Sequence, residues 1–299
     1  MLGGNAMKPE YSIITICKNA KKDLLKTVES VMYQKIDMST IEMVIVDGAS
    51  TDGTAEAMKE YIEKAEKLGL LIRFYSESDK GIYDAMNKGA ALATGEWCLY
   101  LNAGDIFFDE YSMLVFERAD KNNADIIYGD VVFKYQNKYR VYRSKDPSKL
   151  SFLGEMEFCH QSVITRSKYL KNNPFSLQEG LAADFGFFVK AFSGGVQYQS
   201  ISQIVSIFDC DGIGTNNGVL VALEDNKILY KYNLISKKKY ETTKESLGKL
   251  YHIRSCFPKF VVRIRHKIVM KKHTADWKSL DEVREIVSKE ENRAEGNCD

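Results

Sequence analysis

Four short apolar runs in the first third of the chain each end in polar and glycine residues. Tyr11 to Thr15 leads into Ile16-Cys17-Lys18-Asn19, and Ile41 to Val46 leads into Asp47-Gly48-Ala49-Ser50-Thr51-Asp52-Gly53-Thr54. Ile72 to Tyr75 leads into Glu77-Ser78-Asp79-Lys80-Gly81, and Trp97 to Leu101 leads into Asn102-Ala103-Gly104-Asp105. Runs of this length closed by turn residues read as buried strands. The stretches between them, residues 23–32, 54–68 and 82–92, place apolar side chains at helical spacing, and Ser50 or Asp52 is positioned to cap the second. Strand and helix in alternation predict an α/β fold with a mostly parallel central sheet flanked by helices. The C-terminal strand ends then share one edge, where an open sheet of this kind holds its ligand.

Further along, the pattern predicts a helix over residues 111–122, a strand over 125–134 and short antiparallel strands with a loop over 137–152. A helix over 182–192 and a strand over 199–208 follow, and then a glycine- and Asx-rich loop over 209–218. Beyond Val219 the chain reads as helical and lysine-rich, with helices expected over 219–235, 244–254, 261–270 and 280–288. A catalytic domain over residues 8–218 and a helical, basic C-terminal appendage over 219–299 are the expected units. Met1 to Ala6, before a second methionine at Met7, reads as an expression leader.

Charge narrows the partners. Lysine and arginine total 42 against 41 acids, a net charge of +1, which argues against a nucleic-acid partner. The segment from Ile253 to His273 is basic and apolar with almost no acid. It reads either as a peripheral anchor on an anionic membrane surface or as a helix packed on protein, including a homo-oligomer contact. No apolar stretch approaches the ~20 residues that span a bilayer. The six cysteines are scattered without Cys-x-x-Cys spacing, which points to a reduced cytoplasmic setting and away from zinc.

Several strand-end residues can carry chemistry. The run from Asp47 to Thr54 sets carboxylates, hydroxyls and glycines at a strand-to-helix turn, suited to a base or ribose and equally to a structural turn and cap. Asp105 is the metal candidate, because a hard cation on a diphosphate needs carboxylate oxygen while phosphates and water fill the other positions; alone it reads equally as a turn aspartate in Asn-Ala-Gly-Asp. Asp184, among small and aromatic residues at a helix opening, can accept a proton from an attacking alcohol, with Glu179 as the competing acid. His160 and Gln161 can orient acceptor hydroxyls or touch a departing diphosphate, and His160 reads nearly as well as a satisfied structural histidine.

Together these motifs resemble the inverting, family 2 type of nucleotide-sugar glycosyltransferase of GT-A fold. Ile14-Thr15-Ile16-Cys17-Lys18-Asn19 is similar to its first nucleotide-binding strand and loop, with Cys17 where proline is usual. Val46 to Thr54 resembles its second signature, in which Asp47 faces the nucleobase and Gly48 stands where a second aspartate is often found. Glu77, Asp79 to Gly89 and Gly95 resemble the segment leading to the metal motif, and Leu101 to Asp105 a degenerate form of that motif, with Asn102 and Gly104 in place of acids. Asp184 lies where the family carries its acceptor-activating base.

The resemblance implies direct displacement at the anomeric carbon of a nucleoside-diphosphate sugar, expected to be UDP-linked, with inversion. It assigns Asp184 as base and Asp105 as holder of Mn2+ or Mg2+. Donor-site roles fall to Thr15, Asn19, Asp47, Ser50, Asp52, Glu77, Asp79, Lys80, Asp84, Asn87, Asn102, His160 and Gln161. The nearest-looking enzymes act on bacterial exopolysaccharide or O-antigen precursors, so a saccharide or polyprenyl-linked saccharide acceptor at the inner face of the plasma membrane is the expectation. A catalytically weak nucleotide-sugar binding or assembly protein, and a nucleotidyltransferase, are the alternatives.

Overall fold

The computed structural model describes residues 8–146, 158–210, 217–256 and 277–295. Nine strands form one sheet: β1 (Tyr11–Cys17), β2 (Ile41–Asp47), β3 (Leu71–Ser76), β4 (Trp97–Tyr100), β5 (Ile106–Phe107), β6 (Ile126–Tyr135), β7 (Lys138–Tyr142), β8 (Val163–Arg166) and β9 (Tyr198–Asp209). Their order is β3-β2-β1-β4-β8-β6-β9-β5, with β7 paired to β6. The first four are parallel neighbours, so the four polar strand ends read from the sequence do share one edge. β8 enters antiparallel between β4 and β6, and β9 runs parallel to β6.

The crossovers are α1 (Lys21–Met32), α2 (Thr54–Lys67) and α3 (Ile82–Leu92). Buried Leu24, Val28 and Val31 of α1 and Met58 and Ala65 of α2 join Ile13, Met43 and Ile45 in one core layer. On the other sheet face Met86 and Ala90 of α3 pack with Ile14, Tyr100 and a cluster of phenylalanines. Side chains alternate along each strand, which is why Ile13 and Ile14 serve opposite layers. Gly89 permits the close approach of α3, because a Cβ there would collide with Ile14.

Far from the polar edge, the buried carboxylate of Glu42 pins the start of β4. It accepts from Ser12 Oγ and Thr94 N, both at 2.5 Å, and pairs with Arg73 at 2.5 Å. Burial pushes its pKa up, and these hydrogen bonds and the guanidinium outweigh that and hold it below the usual range.

The helix expected over 111–122 is instead the single turn α4 (Leu114–Glu117), followed by a 3₁₀ turn at Lys121–Asn123. Local side chains take the backbone groups that a longer helix would need: Asp109 Oδ1 accepts from Tyr111 N, Gln34 Oε1 from Met113 N and Asp120 Oδ1 from Asn122 N. Next come α5 (Ser167–Asn172) and α6 (Ala183–Ser193). The C-terminal part forms α7 (Gly218–Lys231), α8 (Lys237–Cys256) and α9 (Leu280–Glu295). Ile228 and Leu229 of α7 pack on Ala182, Phe185 and Val189, while Val283 and Val287 of α9 pack on Val132, Ile204 and Ile207. Most of the basic segment, the helix expected over 261–270 and most of the loop over 209–218 lie outside the described residues, as do residues 1–7. Among the described residues no helix is long and apolar enough to cross a membrane.

Candidate active site

The loops after β1 and β2 are locked together by side-chain hydrogen bonds. Asp47, buried at the end of β2, accepts from Ser50 N at 2.9 Å, Ser76 Oγ at 2.6 Å, Cys17 Sγ at 3.4 Å and the Ser50 hydroxyl. Burial alone would raise its pKa, and these donors lower it. Asn19, with φ +49°, receives Thr51 N on its Oδ1 at 2.9 Å, while its own N–H reaches Ser50 Oγ at 2.7 Å. Asp52 ties the starts of two helices together, accepting from Lys21 N at 2.9 Å and Thr54 N at 3.2 Å, while Ala20 and Gly53 hold the N-cap positions. Ser50 is therefore a partner of Asp47, and the N-cap of α2 is Gly53 rather than Ser50 or Asp52, which instead bonds the first N–H of the helix. The Thr15 hydroxyl is buried within the sheet and donates to the Leu101 carbonyl at 2.8 Å.

The loop after β3 approaches the same place. A Cβ on Gly48 would collide with the Asp79 carboxylate, so the space a larger residue would need at Gly48 is filled from the neighbouring strand end. Asp79 Oδ1 also accepts from Gly81 N at 2.9 Å. Lys88 on α3 pairs with Glu77 at 2.8 Å and with Asp84 at 3.6 Å, and Asp84 accepts from Lys80 N at 2.9 Å. Asn87 is turned elsewhere: it donates to the Phe175 carbonyl and accepts from Phe175 N, each at 2.9 Å.

Asp105 is 5% exposed, its Oδ1 accepts from Asp209 N at 3.0 Å, and Gln161 bonds its carboxylate. Burial, with the Asp209 charge behind it, pushes this carboxyl up to about 7 despite the donors from Asp209, Gln161 and Asn102. Asn102 Oδ1 is also buried and has no hydrogen-bond partner among the described residues. These are hard oxygen donors beside a carboxylate short of positive charge, a set that fits one divalent cation completed by phosphate and water. Among the described residues no three His, Cys, Asp or Glu side chains form a closed cage.

Asp184 lies in the first turn of α6 with its side chain 22% exposed. Its Oδ1 accepts from Tyr83 OH at 2.7 Å and from Phe185 N at 2.9 Å, and Oδ2 lies 3.2 Å from His160 Nδ1. Burial pushes this carboxyl up, yet His160, Tyr83 and the backbone donor prevail and hold it below the usual range. An ionised carboxylate only accepts, so Nδ1 carries the proton, and His160 Nε2 is left buried without a partner among the described residues. His160 and Gln161 occupy one 3₁₀ turn, His160–Ser162, that reaches Asp184 through one residue and Asp105 through the next. The competing acid Glu179 is paired with Lys231 at 2.6 Å.

Two groups around Asp184 receive no role from the sequence, although Tyr83 lies within the Asp79 to Gly89 run. Tyr83 is one aromatic among many, and burial with the Asp184 charge pushes its hydroxyl far up, so it remains a donor. Asp225 is a buried acid on α7 whose environment includes the Asp184 charge. Only the packing of α7 against the Asp184 region brings it there.

A family model described as "Glycosyl transferase family 2" matches residues 12–193, from β1 to the last residue of α6. The chain belongs to glycosyl transferase family 2. It is a glycosyltransferase that moves a sugar from a nucleoside-diphosphate sugar to an acceptor with inversion. Among its relatives, a PGL/p-HBAD biosynthesis glycosyltransferase of Mycobacterium bovis is 31% identical over 188 residues, covering 62% of this chain and 70% of the relative. A glycosyltransferase of Mycobacterium tuberculosis is 30% identical over 212 residues, covering 70% of this chain and 78% of that one. The fold is shared with the mannosyltransferase PcManGT from Pyrobaculum calidifontis, solved with GDP-Man and Mn2+, at TM-score 0.60 and 14% identity over 88% of this chain and 81% of that one. S. aureus TarS 1-349 in complex with UDP matches at TM-score 0.56 and 17% identity, covering 80% of this chain and 70% of that one. This family 2 glycosyltransferase thus has the α/β fold of the GT-A enzymes with a C-terminal helical extension.

Proposed function

We propose that this glycosyltransferase uses a UDP-linked donor and a saccharide or lipid-linked saccharide acceptor in surface-glycan synthesis, with Asp184 as the base. The carrying observation is that Asp184 stays ionised and partly exposed at a site that His160 and Gln161 join to Asp105. Among the described residues its Oδ2 has a single protein donor, which leaves a lone pair for the acceptor proton. In the reaction the acceptor oxygen forms the new bond to the anomeric carbon as the bond to the diphosphate oxygen breaks. The proton goes to Asp184, the electron pair leaves with the nucleoside diphosphate, and the anomeric configuration inverts.

Asp105 with Asn102 would hold Mn2+ or Mg2+, which supplies charge stabilisation to the diphosphate. Asn19, Asp47, Ser50, Asp79 and Lys80 shape the donor loops, and Thr15, Asp52, Asp84 and Asn87 hold their frame. The UDP preference draws on the UDP complex of TarS, the metal on the Mn2+ complex of PcManGT, and the glycan setting on the mycobacterial relative. The basic C-terminal segment is the expected contact with an anionic inner membrane face.

The test is incubation with UDP- and GDP-sugars, Mn2+ or Mg2+, and a panel of octyl glycosides and polyprenyl-linked saccharides. Release of nucleoside diphosphate with an inverted linkage by NMR is expected. Folded protein that consumes no donor with any acceptor, or that releases pyrophosphate, overturns the reading.

A further inference from the structure

Helix α7 carries a carboxyl group that the chemistry above does not use. Asp225 is 5% exposed, and its Oδ1 is buried without a hydrogen-bond partner among the described residues. Its neighbours are engaged in the fold: Glu224 Oε2 accepts from Leu181 N at 2.7 Å, and Asn226 Nδ2 donates to the Tyr240 carbonyl of α8 at 3.0 Å. Of three consecutive polar side chains, only the middle one has a buried oxygen without a partner among the described residues. Burying such a group without a partner is unfavourable, and its retention calls for a ligand or another function.

The surroundings say which ligand. The charge of Asp184 on α6 acts on Asp225, as does that of Glu224, and Asp225 in turn acts on Tyr83 of α3, which donates to Asp184. His160 stands behind Asp184, and Glu179 of the adjoining 3₁₀ segment is neutralised by Lys231. Geometry ties the two helices together at Leu181: its N–H donates to Glu224, the residue before Asp225, and its carbonyl lies 3.1 Å from the Tyr83 hydroxyl, which is 2.7 Å from Asp184 Oδ1. Burial, then the Asp184 and Glu224 charges, push its carboxyl up to about 8 while Asp184 is held low. Two carboxyls with opposed environments take opposed roles. At neutral pH one accepts only; the other both donates and accepts.

We propose that Asp225 binds the acceptor, taking the saccharide hydroxyl next to the one that Asp184 deprotonates. Vicinal hydroxyls suit the pair, because one carboxylate receives a proton and the neighbouring carboxyl gives and accepts a hydrogen bond. The inference rests on Asp184 being the base.

Asp225→Ala and Asp225→Asn are compared with wild type and Asp184→Asn, using the octyl-glycoside and donor pair that supports the fastest transfer. Asp225→Ala is expected to raise the acceptor KM about tenfold with the donor KM unchanged. Its Tm should rise, because a buried unpartnered carboxyl is gone. Asp225→Asn, which still donates and accepts, should lie between, and its acceptor KM should stay level through the pH range around 8 where the wild-type KM climbs as the proton leaves. An unchanged acceptor KM in Asp225→Ala, or the same pH dependence in wild type and Asp225→Asn, overturns the inference while an inactive Asp184→Asn leaves the base intact. Full activity of Asp184→Asn, or no transfer with any pair, overturns both.

Discussion

His160 Nδ1 stands 3.2 Å from Asp184 Oδ2, and that contact keeps a largely enclosed carboxylate ionised. The two residues come from separate elements, so the proposed base is tuned by a turn that also reaches Asp105 through Gln161.

Removing the proposed base should abolish transfer without loosening the donor. Asp184→Asn is expected to lower kcat by a factor on the order of 10² or more, the usual worth of a positioned base. Donor affinity by calorimetry should be unchanged. His160→Ala leaves Asp184 with fewer donors, so its pKa rises and the acid limb of the kcat/KM profile moves to higher pH. A limb that stays in place would separate His160 from the tuning of the base.

Stability should fall with pH in a metal-free buffer. The Asp105 and Asp225 carboxyls, raised to about 7 and about 8, lie above the unfolded carboxylate value of roughly 4. Between those limits the folded state binds more protons, so the contribution of both groups to unfolding free energy declines as pH rises. Thermal melts from acid to alkaline pH should show a smaller decline in Asp105→Asn than in wild type. Mn2+ with UDP should restore Tm more at pH 8 than at pH 6, because the cation competes with the proton on Asp105.

Gly48 and Asp79 should be coupled. Gly48→Ala sets a methyl group against the Asp79 carboxylate, with an expected cost of about 1–3 kcal/mol in urea unfolding. Asp79→Ala in the same chain should recover most of it. Additive losses in the double variant would mean that the two positions do not share the space.

Asn87 separates framework from donor contact. Asn87→Ala removes both hydrogen bonds to the Phe175 backbone and is expected to cost about 1–3 kcal/mol of stability. The donor dissociation constant should hold. A large rise in that constant with stability intact would assign Asn87 to the nucleotide.

The parallel half of the sheet was legible along the chain because each β1 to β4 strand is a buried apolar run closed by its own turn residues, and strand ends of one sense must share an edge. Asp105, Asp184 and the Asp47 loop were visible for the same reason: polar residues stand out against apolar neighbours. The helix expected over 111–122 failed because Asp109, Gln34 and Asp120 compete for its backbone groups, and Gln34 comes from the distant connection after α1. The insertion of β8 between β4 and β6 depends on pairings between segments far apart in the chain. That Asn87 meets Phe175, that Asp79 fills the space at Gly48, and that the Asp184 charge reaches Asp225 follow from the packing of helices and loops brought together only by the fold. Side-chain period is a local property that any stretch of chain displays; the partner of a polar group, and with it the group's charge state, exists only once distant elements are in contact.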